Sequence, residues 1–392
     1  MPDDGRAPSP LQVESAVQDV YGQAARQDLG LCCPADYDPK LLAAIPKEVL
    51  ERDYGCGDPT RHLRPGETVL DLGSGSGKTV FMVSQVVGPT GRCIGVDMND
   101  EMLALARRAT PEFARAVGYD NVRFVKGRIQ DLALDLERVD AELASAPVRS
   151  AADLARVEER LASLRRDSPL IADASVDVVI SDCVLNLVRG EDKQALFREL
   201  HRVLRRGGRA VISDIVCDEE VPAHLQQNPE LWTGCISGAM REDKFLAAFE
   251  EAGLYGVEVV SRAEKPWRVV EGIEFRSVTV VAYKGKEGPC LDRKQAVIYR
   301  GPFREVRDDD GHVLRRGVRV AVCEKTFGLY SREPYRRFFD FVEPRVPVPD
   351  AEVRPFPCGT EPLVRDPRET KGEGYLETTA AGPVCTPGSG CC

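Results

Sequence analysis

The chain has few of the residues on which many metal sites and disulfide-rich folds depend. Its 392 residues include four histidines, and no two of its 13 cysteines form a Cys-x-x-Cys pair. A structural zinc site therefore has little support. An odd number of cysteines in a long acidic chain is also unlike the dense, even framework of a small secreted domain. We expect most of these cysteines to be reduced thiols.

The chain also lacks an excess of positive charge and a long apolar run. Its formal net charge is -10, whereas phosphate binding needs clustered lysine and arginine, so we expect no nucleic-acid partner and no anionic membrane surface. No apolar run is long enough to span a bilayer, and no charged leader with an apolar core opens the chain. These absences predict a cytoplasmic protein without a membrane partner.

What the sequence does have is a succession of short buried strands. Residues 1–10 are rich in proline and aspartate and are expected to be disordered, and a helix over residues 11–26 follows. Helical patterns then separate most of the strands, which is typical of a parallel α/β sheet covered on both faces. This first domain is predicted over residues 11–286, with strands at 68–72, 92–98, 121–127, 176–182 and 208–214, and an antiparallel edge at 256–261 and 277–283.

The rest of the chain is predicted to form a small domain and a tail. Strand patterns at 295–299 and 318–323, with the Asp310-Gly311 turn between them, indicate a β-rich or α+β domain over residues 287–343. Residues 344–392 are rich in proline, glycine and charge, so we expect a mostly extended tail.

A long insertion separates the third and fourth strands. Residues 134–166 have helical periodicity that is interrupted at Pro147, which predicts a helical hairpin. The hairpin leaves the carboxyl side of the sheet, where it could cover a ligand as a lid. The alternative is a hairpin on the surface or at a dimer contact, and we favour that interpretation.

A glycine-rich loop directly follows the first strand. Asp71 is followed by Gly73-Ser74-Gly75-Ser76-Gly77, and such glycines let a ligand approach the backbone closely. Asp97 ends the second strand, where a carboxylate can accept both ribose hydroxyls. NAD and FAD enzymes usually have G-x-G-x-x-G, so this spacing favours S-adenosylmethionine as the cofactor. Further candidate cofactor-binding residues are Met98 and, flanking the adenine, Ile129 and Gln130, although Ile129 could equally be a core residue.

Three cysteines occur where such a fold faces its substrate. Cys56 and Cys235 are in loops with neighbouring glycines, and Cys183 ends the fourth strand, at the edge where α/β sheets bind ligands. Thiolates are soft ligands, so three of them beside a methyl donor favour a thiophilic acceptor such as trivalent arsenic. A free cysteine can also be merely a small buried hydrophobe. We adopt that interpretation for Cys93 and Cys323, and no motif supports a role for Cys217, Cys290 or Cys358.

Around these cysteines the chain resembles the arsenite S-adenosylmethionine methyltransferase family. The matching motifs are Tyr54-Gly55-Cys56-Gly57, Cys183-Val-Leu-Asn-Leu187, and Leu231-Trp232 through Cys235-Ile-Ser-Gly238-Ala239. Residues 286–344 are similar to the small C-terminal domain of the family. The resemblance covers most of the chain and implies a Rossmann-like class I methyltransferase sheet with that domain appended.

The resemblance implies an enzyme that methylates As(III) from S-adenosylmethionine. By motif match, Cys56, Cys183 and Cys235 are the catalytic metalloid ligands, and Cys32 or Cys33 corresponds to a further cysteine in substrate handling or disulfide chemistry. The implied partners are As(III) or its thiol conjugates and a small thiol or thioredoxin-type reductant. Three thiolates leave the arsenic lone pair free to attack the methyl group, so no general base is required.

Two residues depart from the family pattern, and two other functions remain open. Asp182 is at a position where asparagine is common, and Gly234 is at a position that is acidic in some members. One alternative is a methyltransferase for another thiophilic metalloid or a small organic acceptor. The other is a non-catalytic arsenic or redox sensor, against which the glycine loop and Asp97 argue.

The terminal Cys385, Cys391 and Cys392 either capture metalloid or belong to a solvated tail that oxidises.

Overall fold

The computed structural model describes residues 10–24, 37–52, 55, 57–285, 288–359, 361–372 and 374–377. The chain divides into two compact units, residues 1–285 and 286–392. The division falls beside Lys286, where the sequence predicts the first domain to end. In the described part of the chain, no helix is both long enough and apolar enough to cross a membrane.

The N-terminal unit alternates strands and helices as the sequence predicts. Its strands are β1 Thr68–Leu72, β2 Arg92–Asp97, β3 Val122–Lys126, β4 Val176–Asp182, β5 Leu204–Cys217, β6 Met240–Arg241, β7 Tyr255–Arg262, β8 Arg268–Val270 and β9 Ile273–Tyr283. Its helices are α1 Pro10–Ala24, α2 Pro39–Leu42, α3 Lys47–Leu50, α4 Lys78–Val87, α5 Asp100–Val117, α6 Leu136–Ser145, α7 Ala151–Asp167, α8 Gly190–Val203, α9 Ala223–Gln226, α10 Pro229–Thr233 and α11 Glu242–Glu251, with 3₁₀ turns at Pro59–His62 and Leu185–Leu187.

The main path of the sheet has the strand order β3-β2-β1-β4-β5-β9-β7. Strands β1 to β5 pair in parallel, whereas β9 is antiparallel to β5 and β7 is antiparallel to β9. This arrangement confirms the predicted Rossmann-like sheet with an antiparallel edge. Strand β5 is longer than predicted because its pairing with β9 continues from Arg209 to Cys217.

Each face of the sheet is buried beneath helices. All seven residues of β4 are buried, and successive side chains of a strand point to opposite faces. Val179 accordingly belongs to one hydrophobic cluster with Leu200 of α8, whereas its neighbour Val178 belongs to a second cluster with Phe81 of α4. Burial on both sides explains why the central strands are nearly continuous hydrophobic runs rather than alternating ones.

The carboxyl ends of the parallel strands meet at one edge of the sheet. Asp97 ends β2, and Cys183 directly follows β4. Asp182 of β4 pairs with Ser213 of β5, so Asp214 lies at the same level of the neighbouring strand. Residues from three different strands are therefore brought together at the edge where α/β folds bind ligands.

The insertion between β3 and β4 is a helical hairpin, as predicted. Helices α6 and α7 are separated by a segment that contains Pro147, and the Ser150 side chain caps α7 by accepting a hydrogen bond from the Asp153 N–H at 3.1 Å. Leu164 is the buried residue of α7, and α6 has none. Such shallow anchoring is typical of a surface insertion.

The C-terminal unit is a small α+β assembly. Its elements are β10 Leu291–Asp292, β11 Ala296–Tyr299, β12 Glu305–Arg307, β13 Val313–Arg315, β14 Arg319–Ala321, α12 Glu324–Tyr330, β15 Phe339–Val342, β16 Arg354–Pro355 and α13 Pro367–Lys371, with 3₁₀ turns at Arg336–Phe338 and Asp350–Glu352. Strands β14, β11 and β15 form an antiparallel sheet, and β12 and β13 form a hairpin around the predicted turn. Tyr330 stacks on Phe339 in its core.

The segment after Pro344 differs from the mostly extended tail that its composition predicts. Leu363 accepts a backbone hydrogen bond from Ala321 at 2.7 Å, and the buried Arg365 pairs with Asp292 at 2.6 Å. The Arg345 N–H also donates to the Thr370 carbonyl at 2.8 Å. Long-range backbone bonds and a buried ion pair thus fix this segment despite its proline and glycine. Cys385, Cys391 and Cys392 lie outside the described residues.

We predict that most of the hairpin can be removed without loss of the fold. Replacing residues 138–161 with a short Gly-Ser linker keeps Leu164 and the Arg165 ion pair with Asp131, and removes the exposed pair between Lys126 and Asp140. Exposed pairs contribute about 0–1 kcal/mol, so the free energy of unfolding in urea should fall by about that amount.

The matched control is Leu164→Ala in the full chain, which truncates the buried anchor and should cost about 2–5 kcal/mol. A shortened chain that fails to fold, or loses more stability than Leu164→Ala, would contradict the surface-insertion interpretation.

Candidate active site

A cleft opens at the carboxyl edge of the sheet of the N-terminal unit. Its walls come from the glycine loop after β1, the end of β2, the segment after β3, the segment after β4, and helix α1. Residues 134–166, all of which the structure describes, contribute nothing to these walls. The hairpin therefore does not act as a lid in this structure.

The three glycines after β1 have different roles in the loop. Gly73, Gly75 and Gly77 all have positive φ angles, of 71°, 50° and 90°. A Cβ on Gly73 would collide with Val184, and one on Gly77 would collide with Phe124. A Cβ on Gly75 would meet no atom within 4 Å, so Gly75 faces open space in the cleft. Gly77 does not line the cleft, and its role is close packing at the start of α4 rather than contact with a ligand.

Asp97 connects the glycine loop to the second strand. Its Oδ2 accepts a hydrogen bond from the Gly75 N–H at 2.8 Å, and its Oδ1 accepts one from the Asn99 N–H at 2.8 Å. The Met98 backbone also bonds to this carboxylate, which has about four acceptor positions, so capacity remains for a ribose hydroxyl. Burial raises the pKa of Asp97. The carboxylate is thus prearranged beside the residues that a nucleoside would contact.

The other predicted cofactor-binding residues also lie at the cleft. The set consists of Asp71, Ser74, Met98, Ile129 and Gln130. The buried Ser74 hydroxyl has no hydrogen-bond partner among the described residues and can bond to a polar ligand atom. Ile129 lines the cleft and also belongs to the hydrophobic core, so both roles considered for it are compatible with its position.

Helix α1 forms a wall of the cleft that the sequence did not predict. Val17, Gln18 and Tyr21 line the cleft, and the Asn99 amide donates a hydrogen bond to the Gln18 carbonyl at 3.0 Å. The helical pattern over residues 11–26 predicts the helix itself, and no motif in the sequence marks these side chains as part of a cleft.

The cleft leads to two of the three predicted thiols. The sulfur atoms of Cys183 and Cys235 and a carboxylate oxygen of Asp214 all lie within 4.8 Å of one another. Cys183 and Cys235 each have a φ angle of 59°, which is uncommon for a residue other than glycine. Strained backbone of this kind persists where surrounding contacts hold it and is frequent at functional sites.

A buried carboxylate holds the segment of Cys183 in place. The fully buried Asp214 accepts hydrogen bonds from the Leu185 N–H at 2.8 Å, the Ile215 N–H at 2.7 Å and the Asn186 side-chain amide at 2.8 Å. The same Asn186 amide donates to the Cys235 carbonyl at 3.4 Å. Asp214 is therefore already bonded as a hydrogen-bond acceptor, and its hard oxygens suit this role better than binding a soft ligand.

Lys193 of α8 completes a buried polar network with Asp214 and Asn186. Its ammonium group donates to the Asn186 side-chain oxygen at 3.2 Å and to the Gly238 carbonyl. Burial lowers the pKa of Lys193 to about 8 and raises the pKa of Asp214 to about 6, while the opposite charge of each acts against these shifts. The network connects β5, α8 and the loop that carries Cys235, and the sequence did not predict it.

Local contacts also fix the loop of Cys235. The Cys235 N–H donates to the Trp232 carbonyl at 3.0 Å, and the Trp232 indole donates to the Gln226 carbonyl at 2.6 Å. A Cβ on Gly238 would collide with the Asn186 carbonyl, so glycine permits the close approach of the two segments. Gly234 offers no side chain, and the loop has no acidic group there.

The third predicted ligand, Cys56, lies outside the described residues, as do Cys32 and Cys33. Its two neighbouring glycines are described. A Cβ on Gly55 would collide with the Asp182 carboxylate, and one on Gly57 would collide with the Ser213 hydroxyl. Both glycines thus contact the ends of β4 and β5, and Gly55 lines the cleft together with Asp182 and Cys183.

The described thiols of the N-terminal unit differ in oxidation state and environment. Cys183 is disulfide-bonded, whereas Cys235 is a reduced thiol that donates to the Cys183 carbonyl at 3.3 Å. Burial raises the pKa of Cys93 strongly and that of Cys217 to about 12, so both resist ionisation. Cys93 and Cys217 fit a structural role, and Cys183 needs reduction before it can act as a thiolate.

Comparison with known proteins agrees with this geometry. A methyltransferase domain matches residues 63–168 and 167–253, and a domain of unknown function matches residues 286–375. The arsenite methyltransferase of Aquipseudomonas alcaligenes is 30% identical over 352 residues, which cover 84% of this chain and 91% of that protein. The arsenite methyltransferase of Mus musculus is 26% identical over 404 residues, which cover 97% of this chain and 96% of that protein.

A solved structure is similar to the chain as well. It is an arsenic (III) S-adenosylmethionine methyltransferase from Chlamydomonas reinhardtii, with a TM-score of 0.53 and 26% identity, and the match covers 80% of this chain and 99% of that chain. The cleft has a methyltransferase glycine loop at one end and two neighbouring cysteines, Cys183 and Cys235, at the other. Together with this geometry, the extent of the similarities shows that the chain belongs to the arsenite methyltransferase family.

Proposed function

We propose that this chain methylates trivalent arsenic bound by Cys183 and Cys235, with Cys56 as the third thiolate ligand and S-adenosylmethionine as the methyl donor. The observation that carries the proposal is the position of Cys183. It lies at the same cleft as Gly75 and Asp97, with its sulfur within 4.8 Å of that of Cys235. Soft thiolates are suited to As(III).

Different residues of the chain bind the methyl donor and position the arsenic. Asp97 accepts the ribose hydroxyls, and the backbone of Gly75 lies open to the ligand. When bound, S-adenosylmethionine supplies a methyl group on an electrophilic sulfonium. Cys183 and Cys235 hold the arsenic, whose lone pair is the nucleophile, so no side chain has to remove a proton. Catalysis by this site is mainly a matter of orientation.

Reduced thiols are a condition of this function. Because Cys183 is disulfide-bonded, a reductant has to open that disulfide before Cys183 can bind arsenic. A small thiol or a thioredoxin-type protein is the partner that suits this step. The six free cysteines among the described residues suit a reducing compartment such as the cytoplasm.

Incubating the reduced protein with arsenite, a thiol and S-adenosylmethionine, followed by arsenic speciation, tests the function directly. We expect methylated arsenicals. Consumption of the methyl donor only with another thiophilic or small organic acceptor would instead support a different substrate.

Asp97→Ala should weaken binding of S-adenosylmethionine by about 1–3 kcal/mol, because charge-assisted hydrogen bonds to the ribose are lost. Arsenite binding should be retained. Calorimetric titration of the folded variant measures the change. Asp100→Ala is the matched control, since Asp100 is exposed, pairs with Lys126 and does not line the cleft. Equal cofactor affinity in the two variants would rule out the ribose role.

Cys183→Ser and Cys235→Ser should each abolish methylation of inorganic arsenite, because a hydroxyl is a hard and poorly ionised substitute for a soft thiolate. Cys56→Ser should be less severe with a monomethylated substrate, which needs fewer thiol ligands. Cys93→Ser is the control and should act mainly through stability. Rates are compared at matched folded fractions, and full activity of Cys183→Ser or Cys235→Ser would contradict the thiolate site.

Asn186→Ala should separate positioning from chemistry. The substitution removes the amide that joins Asp214 to the Cys235 segment, and leaving buried partners unsatisfied costs about 1–3 kcal/mol of stability. Because the two thiols lose their fixed spacing, the KM for arsenite should rise while the KM for S-adenosylmethionine stays nearly constant. Equal changes in both KM values would show a general loss of structure instead.

A further inference from the structure

Three more cysteines come together in the C-terminal unit. The sulfur atoms of Cys290, Cys323 and Cys358 all lie within 4.8 Å of one another. Cys290 precedes β10, Cys323 precedes α12 and Cys358 follows β16, so each comes from a different part of the unit. All three are free thiols, and we call them the C-terminal thiol cluster.

Backbone hydrogen bonds position the cluster before any ligand binds. The Phe356 N–H donates to the Cys290 carbonyl at 2.9 Å, and the Cys358 N–H donates to the Phe356 carbonyl at 2.9 Å. The Cys323 sulfur accepts the Thr326 N–H at 3.4 Å and lies 3.2 Å from the Thr326 hydroxyl. The sulfur atoms are therefore held near one another by bonds that do not involve their own ligation.

The three thiols of the cluster differ in exposure. Cys358 is exposed, Cys290 is half-buried and Cys323 is buried. A hydrogen bond with Cys358 lowers the pKa of Cys290, and the positive charge of Lys325 acts in the same direction. Burial and the hydrogen bond with Cys290 raise the pKa of Cys358 to about 12. Cys290 is thus more readily ionised than Cys358.

A mostly apolar cavity adjoins the cluster. Cys323 and Cys358 line it together with Leu314, Phe356 and Leu363, and His312 and Glu361 are the ionisable residues of its lining. A trivalent arsenic centre with three thiolates is neutral, whereas a divalent zinc ion with three thiolates carries a negative charge. Apolar walls disfavour a buried charge, so this environment favours the neutral arsenic complex.

We propose that Cys290, Cys323 and Cys358 bind trivalent arsenic as a second, three-thiolate site within the C-terminal unit. Binding of arsenous acid breaks three As–OH bonds and three S–H bonds, and forms three As–S bonds and three water molecules. The oxidation state of arsenic does not change, so no reductant or oxidant takes part. The site goes beyond the proposed function, because it needs neither Cys183 nor S-adenosylmethionine.

Protection of individual cysteines from alkylation tests the site in the full chain. The reduced protein is treated with iodoacetamide with and without arsenite, and labelling of each cysteine is followed by peptide mass spectrometry. Alkylation of Cys290 and Cys358 should slow together, by about tenfold when arsenite is present at about ten times its Kd. The same protection in Cys235→Ser, which should not methylate arsenite, separates this site from the catalytic one.

Cysteine variants and a comparison with Zn²⁺ decide between the possible outcomes. Cys323→Ser should abolish the joint protection of Cys290 and Cys358, whereas Cys217→Ser, a buried cysteine outside the cluster, should leave it intact. If Cys323→Ser does not fold, Cys290→Ser should abolish the protection of Cys358. Equal alkylation rates with and without arsenite in the folded, reduced chain, or protection by Zn²⁺ but not by arsenite, would overturn the proposal.

Discussion

The Asp214 carboxylate at the edge of the sheet holds together the two segments that carry Cys183 and Cys235. It binds the Leu185 N–H of one segment directly and reaches the Cys235 segment through the Asn186 amide. Burying polar groups is costly, and leaving a buried hydrogen-bonding partner unsatisfied costs about 1–3 kcal/mol. The network is therefore placed to maintain the strained backbone of both cysteines.

Hard ligand atoms (oxygen and nitrogen) and soft ligand atoms (sulfur) have different roles in this site. Oxygen and nitrogen atoms of Asp214, Asn186 and Lys193 bond to one another and to the backbone, so they are already satisfied when substrate arrives. In the proposed function, the sulfur atoms of Cys235 and of Cys183 after reduction bind the thiophilic substrate, to which hard ligands bind poorly. At the other end of the cleft, the Gly75 N–H orients Asp97, which in the proposed function accepts a hydrogen bond from the ribose.

The sequence predicts what depends on local pattern and misses what depends on distant contacts. Strands β1 and β4 were predicted to the residue, since buried runs bounded by loop signals define them. In the sequence, Lys193 has the pattern of an ordinary polar residue of an amphipathic helix. Only in the folded chain does it contact Asn186 and Gly238. The cysteines at 290, 323 and 358 likewise share no motif, because strands and turns far apart in sequence bring them together.

The two thiol groups can differ in chemistry even though both suit arsenic. Methyl transfer requires a sulfonium in line with the arsenic lone pair, and Gly75 and Asp97, which would hold that cofactor, belong to the N-terminal unit. The cavity beside the C-terminal thiol cluster is lined by residues of its own unit, with mostly apolar walls. Arsenic bound by that cluster would be a neutral complex, with three ligands that the fold already holds near one another. Under the two proposals, Cys183 and Cys235 hold the arsenic that is methylated, whereas the C-terminal thiol cluster binds arsenic without a methyl-donor site in its own unit.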